Sequence, residues 1–118
     1  MGDSQGGSMK FTENKWRGKI YGAKVDGKIV YIGQTQQTLA NRVKAHIKEY
    51  PYRQKWTFFI IKRFEEDSVL TLWEKLDKAE RFFIQKYNTR SPKGYNKDDG
   101  GVNPAYRISW LKKRFPQL

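Results

Sequence analysis

Asp26-Gly27 sits between the β-rich runs Ile20 to Val25 and Ile29 to Gly33, and this commits the first half of the chain to an antiparallel hairpin. The length of the loop decides where the side chains go. A bare two-residue turn pairs Tyr21 with Ile32 and sends Tyr21 and Tyr31 to opposite faces of the sheet. A three-residue loop, Val25-Asp26-Gly27, with Gly27 in the left-handed region, pairs Tyr21 directly with Tyr31. Both phenols then share a face with Ala23. Glycine suits that second loop, so the bulged hairpin is the expected one.

Beyond the hairpin the apolar period changes from two to about 3.6. Leu39, Val43, Ile47 and Tyr50 predict a helix over Thr38 to Tyr50, with Thr38 as its N-cap and Pro51 ending it. Trp56 to Phe64 reads as a third, largely buried strand, and Ser68 to Tyr87 as a long amphipathic helix. Ser91-Pro92-Lys93-Gly94 is a turn, Asp98 to Gly101 a loop, and Pro104 to Phe115 a short final helix. This order gives an α+β fold, a small antiparallel three-stranded sheet flanked by helices. The chain of 118 residues shows no repeat and no second linker, so residues 9–118 form one domain. Residues 1–8 read as a flexible Gly/Ser expression leader, with Met9 as the natural start.

Charge narrows the partners. Lys and Arg number 24 against 12 acidic residues, a net charge of +12, and the commonest partner of such a field is a nucleic acid. There is no cysteine, which excludes disulfides, zinc fingers, iron–sulfur clusters and thiol nucleophiles. No apolar run approaches the roughly 20 residues of a membrane-spanning helix, and the start of the chain has no hydrophobic signal region. A soluble intracellular protein, cytoplasmic or nucleoid-associated, with no membrane partner is the expectation.

Two polar features stand where apolar residues belong. Trp73, Leu76, Phe83, Ile84 and Tyr87 share one side of their helix, and Glu80 falls in the middle of it. A carboxylate there must be paired, protonated or bound to a cation, since leaving it bare costs several kcal/mol. An ion pair with an Arg and a metal ion both meet that need. Arg42 and His46, four residues apart, stack on one helical face beside the Leu39/Val43/Ile47 stripe, toward the edge of the sheet. On a basic helix such a pair is also compatible with a solvated face.

These features fall into a wider pattern. Lys19-Ile-Tyr21, a gap, then Tyr31-Ile-Gly33 resembles the signature of the GIY-YIG nuclease superfamily. The likeness continues through Gln34 to Arg42 and His46, reappears at Ala79-Glu80-Arg81, and ends at Gly94-Tyr95-Asn96. Two departures accompany it: Lys19 replaces the first Gly of the name, and Arg42 lies one residue further from the second tyrosine than in some members. The resemblance implies a small antiparallel sheet with flanking helices and one divalent ion, Mg²⁺ or Mn²⁺, held by Glu80. It maps the family's two tyrosines, arginine, histidine and asparagine onto Tyr21, Tyr31, Arg42, His46 and Asn96.

In the chemistry this implies, Mg²⁺ binds through one carboxylate plus substrate phosphate, and Arg42 neutralises the phosphate. Tyr21 is the expected base, its ordinary pKa near 10 lowered by Arg42, with Tyr31 and His46 as positioners. Asn96 tethers the backbone, and Gly33 permits a close backbone turn. Nucleic acid, foremost DNA, would be held by Arg107, Trp110, Lys112, Lys113 and Arg114 of the last helix, and by Arg53 and Lys55 beside Trp56. The alternative is a non-catalytic DNA- or RNA-binding module that keeps the fold. A pure binder, however, has no reason to hold a carboxylate where it repels phosphate. A stand-alone nuclease domain suits phage or mobile-element biology or a repair role. Oligomeric state stays open, although cutting both strands is easier for a dimer.

Overall fold

The structure, a computed structural model, describes residues 15–117. The expected leader and the expected domain start at Met9 lie outside them. Strand β1 (Trp16–Val25) is followed by β2 (Lys28–Thr35), helix α1 (Leu39–Glu49) and a 3₁₀ turn (Pro51–Lys55). Then come β3 (Thr57–Glu66), helix α2 (Val69–Tyr87) and helix α3 (Pro104–Arg114). The sheet is antiparallel throughout, in the order β2-β1-β3. The chain is therefore an α+β fold with a three-stranded antiparallel sheet. Among the described residues no helix is long and apolar enough to cross a membrane.

Local chemistry sets the helix boundaries. Thr38 caps α1 by accepting from the Asn41 amide, and Ser68 caps α2 by accepting from Leu70 and Thr71. Asn88, at φ 54°, closes α2 in the left-handed conformation. Pro51 ends α1 as expected, but the chain tightens into the 3₁₀ turn instead of leaving directly for β3. Strand β1 starts earlier than its β-rich run because Trp16 to Lys19 find partners in Arg63 to Glu66 of β3. That pairing is tertiary, and no local propensity announces it.

The hairpin differs from expectation in an instructive way. The loop is the two-residue turn, with Asp26 at φ 51° and Gly27 at φ 77°, and Val25 pairs with Lys28. That turn alone would put the phenols on opposite faces. A bulge then inserts Val30, so the register moves from Lys24↔Ile29 to Ala23↔Tyr31 and Tyr21↔Gly33. Tyr21 is not paired directly with Tyr31. Both still share a face with Ala23, their ring centroids 6.2 Å apart. The extra residue sits in β2 and not in the loop.

The two faces of the sheet have different coverings. Ile20 and Ile32 meet Leu72, Leu76 and Ile84 of α2 on one side. Ala23, Val30 and Trp56 form a smaller cluster with Tyr31 and Phe58 on the other. Full burial of each such apolar side chain contributes about 1.5–3 kcal/mol. Helix α3 buries no residue of its own. It is held by Trp110, edge-on to Trp16 and Trp73 at 6.0 and 5.5 Å, and by an ion pair from Arg107 to Asp77.

Candidate active site

The phenols sit on the face that α1 covers, and α1 reaches them with a polar residue. Its expected apolar stripe is only half-buried, whereas His46 is 2% exposed and is the only buried residue of the helix. His46 Nε2 lies 2.6 Å from the Tyr21 hydroxyl, and His46 Nδ1 lies 2.6 Å from Nη1 of Arg53 on the 3₁₀ turn. The imidazole meets the Tyr31 ring edge-on at 5.1 Å and the Phe58 ring at 5.2 Å. Gly33 is needed because the Tyr21 ring crosses it. A Cβ there would lie 2.5 Å from Tyr21 Cζ and Oη, so the glycine serves a ring approach and not the backbone turn expected of it.

Burial governs the acidity of these groups. Tyr21 is 1% exposed, and burial drives its phenol well above its ordinary value, helped by the neighbouring Tyr31. Arg42 pulls in the expected direction but is outweighed, so the acidified phenol expected of Tyr21 is not what the site contains. Tyr31 is raised by burial and by the Glu80 charge, against the pull of Arg42 and Arg53. Burial pushes His46 down to about 4, aided by the Arg42 and Arg53 charges.

The carboxylate lies on the other side of β2, one of the two edge strands. Glu80 is 8% exposed in the apolar side of α2. Its Oε1 accepts from Gln34 Nε2 at 3.0 Å and from the Gly101 amide at 2.6 Å. Among the described residues, no Lys or Arg forms an ion pair with it, so the Arg partner that would make Glu80 purely structural is not found. Burial raises its pKa, and the charges of Asp77 and Asp98 raise it further, while the Gln34 and Gly101 hydrogen bonds act the other way. A pocket of about 280 Å³ opens around the β2 edge, lined by Tyr31, Arg53, Glu80, Asn96, Asp98 and Gly101. Tyr31 and Glu80 thus reach one space from opposite faces of the sheet, and Tyr21 stands behind Tyr31.

Asn96 closes that space against the strand. Its Oδ1 accepts from the Ile32 amide at 2.9 Å and from Thr89 Oγ1 at 2.7 Å, while Nδ2 donates to the Ile32 carbonyl at 2.8 Å. The side chain completes the free edge of β2 as a backbone would. Gln34, Asp77 and Gly101 are the site residues that the sequence did not single out. Asp77 lies one turn before Glu80 and shares the Gln34 amide with it, 2.9 Å away, a spacing that was open to inspection.

Several residues expected at the nucleic-acid surface are elsewhere. Arg53 is 5% exposed, and its guanidinium packs over the rings of Tyr50 and Trp56 at 4.2 and 4.7 Å. Trp56 itself is buried. Arg107 is half-buried against Asp77 and Gln34 at 2.6 and 3.1 Å. Trp110 meets Trp73 edge-on and still keeps 37% of its surface exposed. Lys55, Lys112, Lys113 and Arg114 are exposed. An Arg among aromatic neighbours is drawn inward by cation–π attraction, which the sequence pattern does not distinguish from a surface cluster.

The family comparison fits this geometry. The model of the GIY-YIG catalytic domain matches residues 19–96. The chain belongs to the GIY-YIG family. Domains of this family are usually nucleases, generally dependent on a divalent metal, and they bind nucleic acid. The matched span runs from the start of the hairpin to Asn96, so it encloses both tyrosines, Arg42, His46 and Glu80. Comparisons with curated proteins and with solved structures gave no match.

Proposed function

We propose that this GIY-YIG domain is a metal-dependent endonuclease that hydrolyses DNA phosphodiester bonds with a single Mg²⁺ or Mn²⁺ ion at Glu80. The observation that carries the reading is a buried carboxylate, without a cationic partner among the described residues, in one pocket with the Tyr31 phenol. The residues fit such an ion. Glu80 offers a hard oxygen donor, its Oε1 is oriented by two hydrogen bonds, and its burial leaves a negative charge to be balanced. An ion of this kind needs only one protein carboxylate, its remaining ligands being water and phosphate. When bound, the ion supplies Lewis-acid polarisation of the phosphate and stabilises the leaving oxygen.

The chain's own residues do the rest. Arg42, whose charge reaches both phenols and His46, supplies the guanidinium that binds the phosphate and offsets the charge that grows on it. Tyr31 is the phenol that contacts the pocket, so it orients the attacking water, and Tyr21 supports it from behind. Asn96 keeps the β2 edge in place. Lys55, Lys112, Lys113 and Arg114 hold the backbone of the nucleic acid with little sequence preference.

Supercoiled plasmid incubated with Mg²⁺ or Mn²⁺ tests the reading. Wild type nicks or cuts it, and Arg42→Ala lowers the rate by at least about 10²-fold while circular dichroism stays unchanged. A folded wild type that binds plasmid and never cuts it, with either metal, makes the chain the non-catalytic binding module instead. The same assay on duplexes, single strands, flaps and junctions identifies the substrate.

A further inference from the structure

Arg53 is an unusual residue to find beneath an active site. It is 5% exposed, makes no ion pair with a carboxylate among the described residues, and its Nε is buried without a hydrogen-bond partner. Aromatic faces compensate the buried charge in part: Tyr50 at 4.2 Å, Trp56 at 4.7 Å and Tyr31 at 5.4 Å. A solvated lysine or a neutral side chain would fill this position at lower cost. What a guanidinium offers in addition is direction, because it can only donate.

That one-sidedness propagates. Arg53 Nη1 lies 2.6 Å from His46 Nδ1, so Nδ1 must be the acceptor and carries no proton. A neutral imidazole has one N–H, which is then on Nε2. Nε2 lies 2.6 Å from the Tyr21 oxygen, so the ring donates to the phenol. Tyr21 cannot give its own proton to His46, and that proton is left to point away, on the side where Tyr31 shares the sheet face. The groups around the imidazole are Tyr21 of β1, Tyr31 of β2, Phe58 of β3, Arg53 of the 3₁₀ turn and Arg42 of its own helix. None is an acid that would favour imidazolium. Burial and the two arginines hold the ring neutral, its pKa pushed down to about 4.

We propose that Arg53 is a positioning residue: it locks His46 as the Nε2–H tautomer and so makes His46 a fixed donor to Tyr21, not a base that removes its proton. The Tyr21 hydroxyl, held by that N–H, is then fixed behind Tyr31, the phenol that orients the attacking water. This catalytic consequence rests on the nuclease reading. The tautomer does not.

His46 is the only histidine of the chain, so the ¹⁵N–¹H spectrum of its ring needs no assignment. In uniformly ¹⁵N-labelled wild type at about pH 7 the spectrum is expected to show Nδ1 unprotonated and Nε2 protonated. An Nδ1–H tautomer or an imidazolium at that pH overturns the proposal. In Arg53→Met the single-tautomer pattern is expected to give way to a mixture, whereas Arg53→Lys, which keeps a donor, retains it. An unchanged pattern in Arg53→Met also overturns the proposal. If Arg53→Met does not fold, wild type and Arg53→Lys decide. Plasmid cleavage by Arg53→Met is expected to fall about 10–100-fold in kcat with little change in KM, and Arg53→Lys to recover part of it. Wild type that shows the Nε2–H tautomer but cuts nothing removes the nuclease reading and leaves the tautomer lock standing.

Discussion

Replacing Glu80 by glutamine keeps the shape of the side chain and removes its charge, which separates the carboxylate's role in folding from its role in holding a cation. Glutamine Oε1 can still accept from Gln34 and Gly101, so both hydrogen bonds survive as neutral ones. Each loses about 1 kcal/mol of charge assistance. Against that, the cost of desolvating the carboxylate, several kcal/mol for a buried ion, is relieved. At 8% exposure the second effect outweighs the first, for a net gain of about 1 kcal/mol and a rise in Tm of about 4 °C at neutral pH without metal. The pH dependence follows from the raised pKa of Glu80. The folded chain holds that proton at pH values where the unfolded chain has released it. The contribution of Glu80 is therefore intact below the ordinary carboxylate range and lost as pH rises through the folded value. The advantage of Glu80→Gln should accordingly shrink to nothing near about pH 4, where the wild-type side chain is neutral too. Mg²⁺ should act in the opposite sense. At about ten times its Kd it stabilises wild type by about 1.4 kcal/mol and leaves the variant unmoved. Differential scanning fluorimetry at two pH values, with and without Mg²⁺, reads all four corners. A variant that melts below wild type at neutral pH refutes the burial argument, and a variant that gains as much from Mg²⁺ as wild type refutes the cation site.

Two further outcomes are expected. Asn96→Ala leaves the Ile32 N–H and C=O and the Thr89 hydroxyl without their partner, so stability falls by about 3 kcal/mol, measured by urea denaturation; a change below about 0.5 kcal/mol shows that water repairs the β2 edge and that Asn96 is no tether. Exchanging the exposed Lys112 and Lys113 for glutamine weakens DNA binding equally for all sequences and lowers the slope of log K against log salt by about 2; an unchanged slope places the DNA elsewhere.

The element order, the cap at Thr38, the stop at Pro51 and the inward turn of Glu80 were all legible along the chain. Each depends on residues within a turn or two of one another, or on a periodicity that a single helix must satisfy. The shared face of the phenols was legible in outcome but not in cause, because a bulge at Val30 and a longer loop have the same parity. Which strand takes up the extra residue is settled by packing across the sheet, not by the turn residues.

Tertiary structure alone decided three things. It drew Arg53 out of the surface and under His46, since the attraction of four aromatic rings and an imidazole outweighs hydration of the guanidinium only once they have been brought together. It gave Arg107 to Asp77 and Gln34, tying the last helix to the strand and helix that carry the site. It also raised the Tyr21 phenol where a neighbouring arginine alone would lower it. Burial is a property of the folded whole, and the desolvation it causes acts on every charge at once. A sequence names the charges; only the packed chain fixes how much water each one keeps.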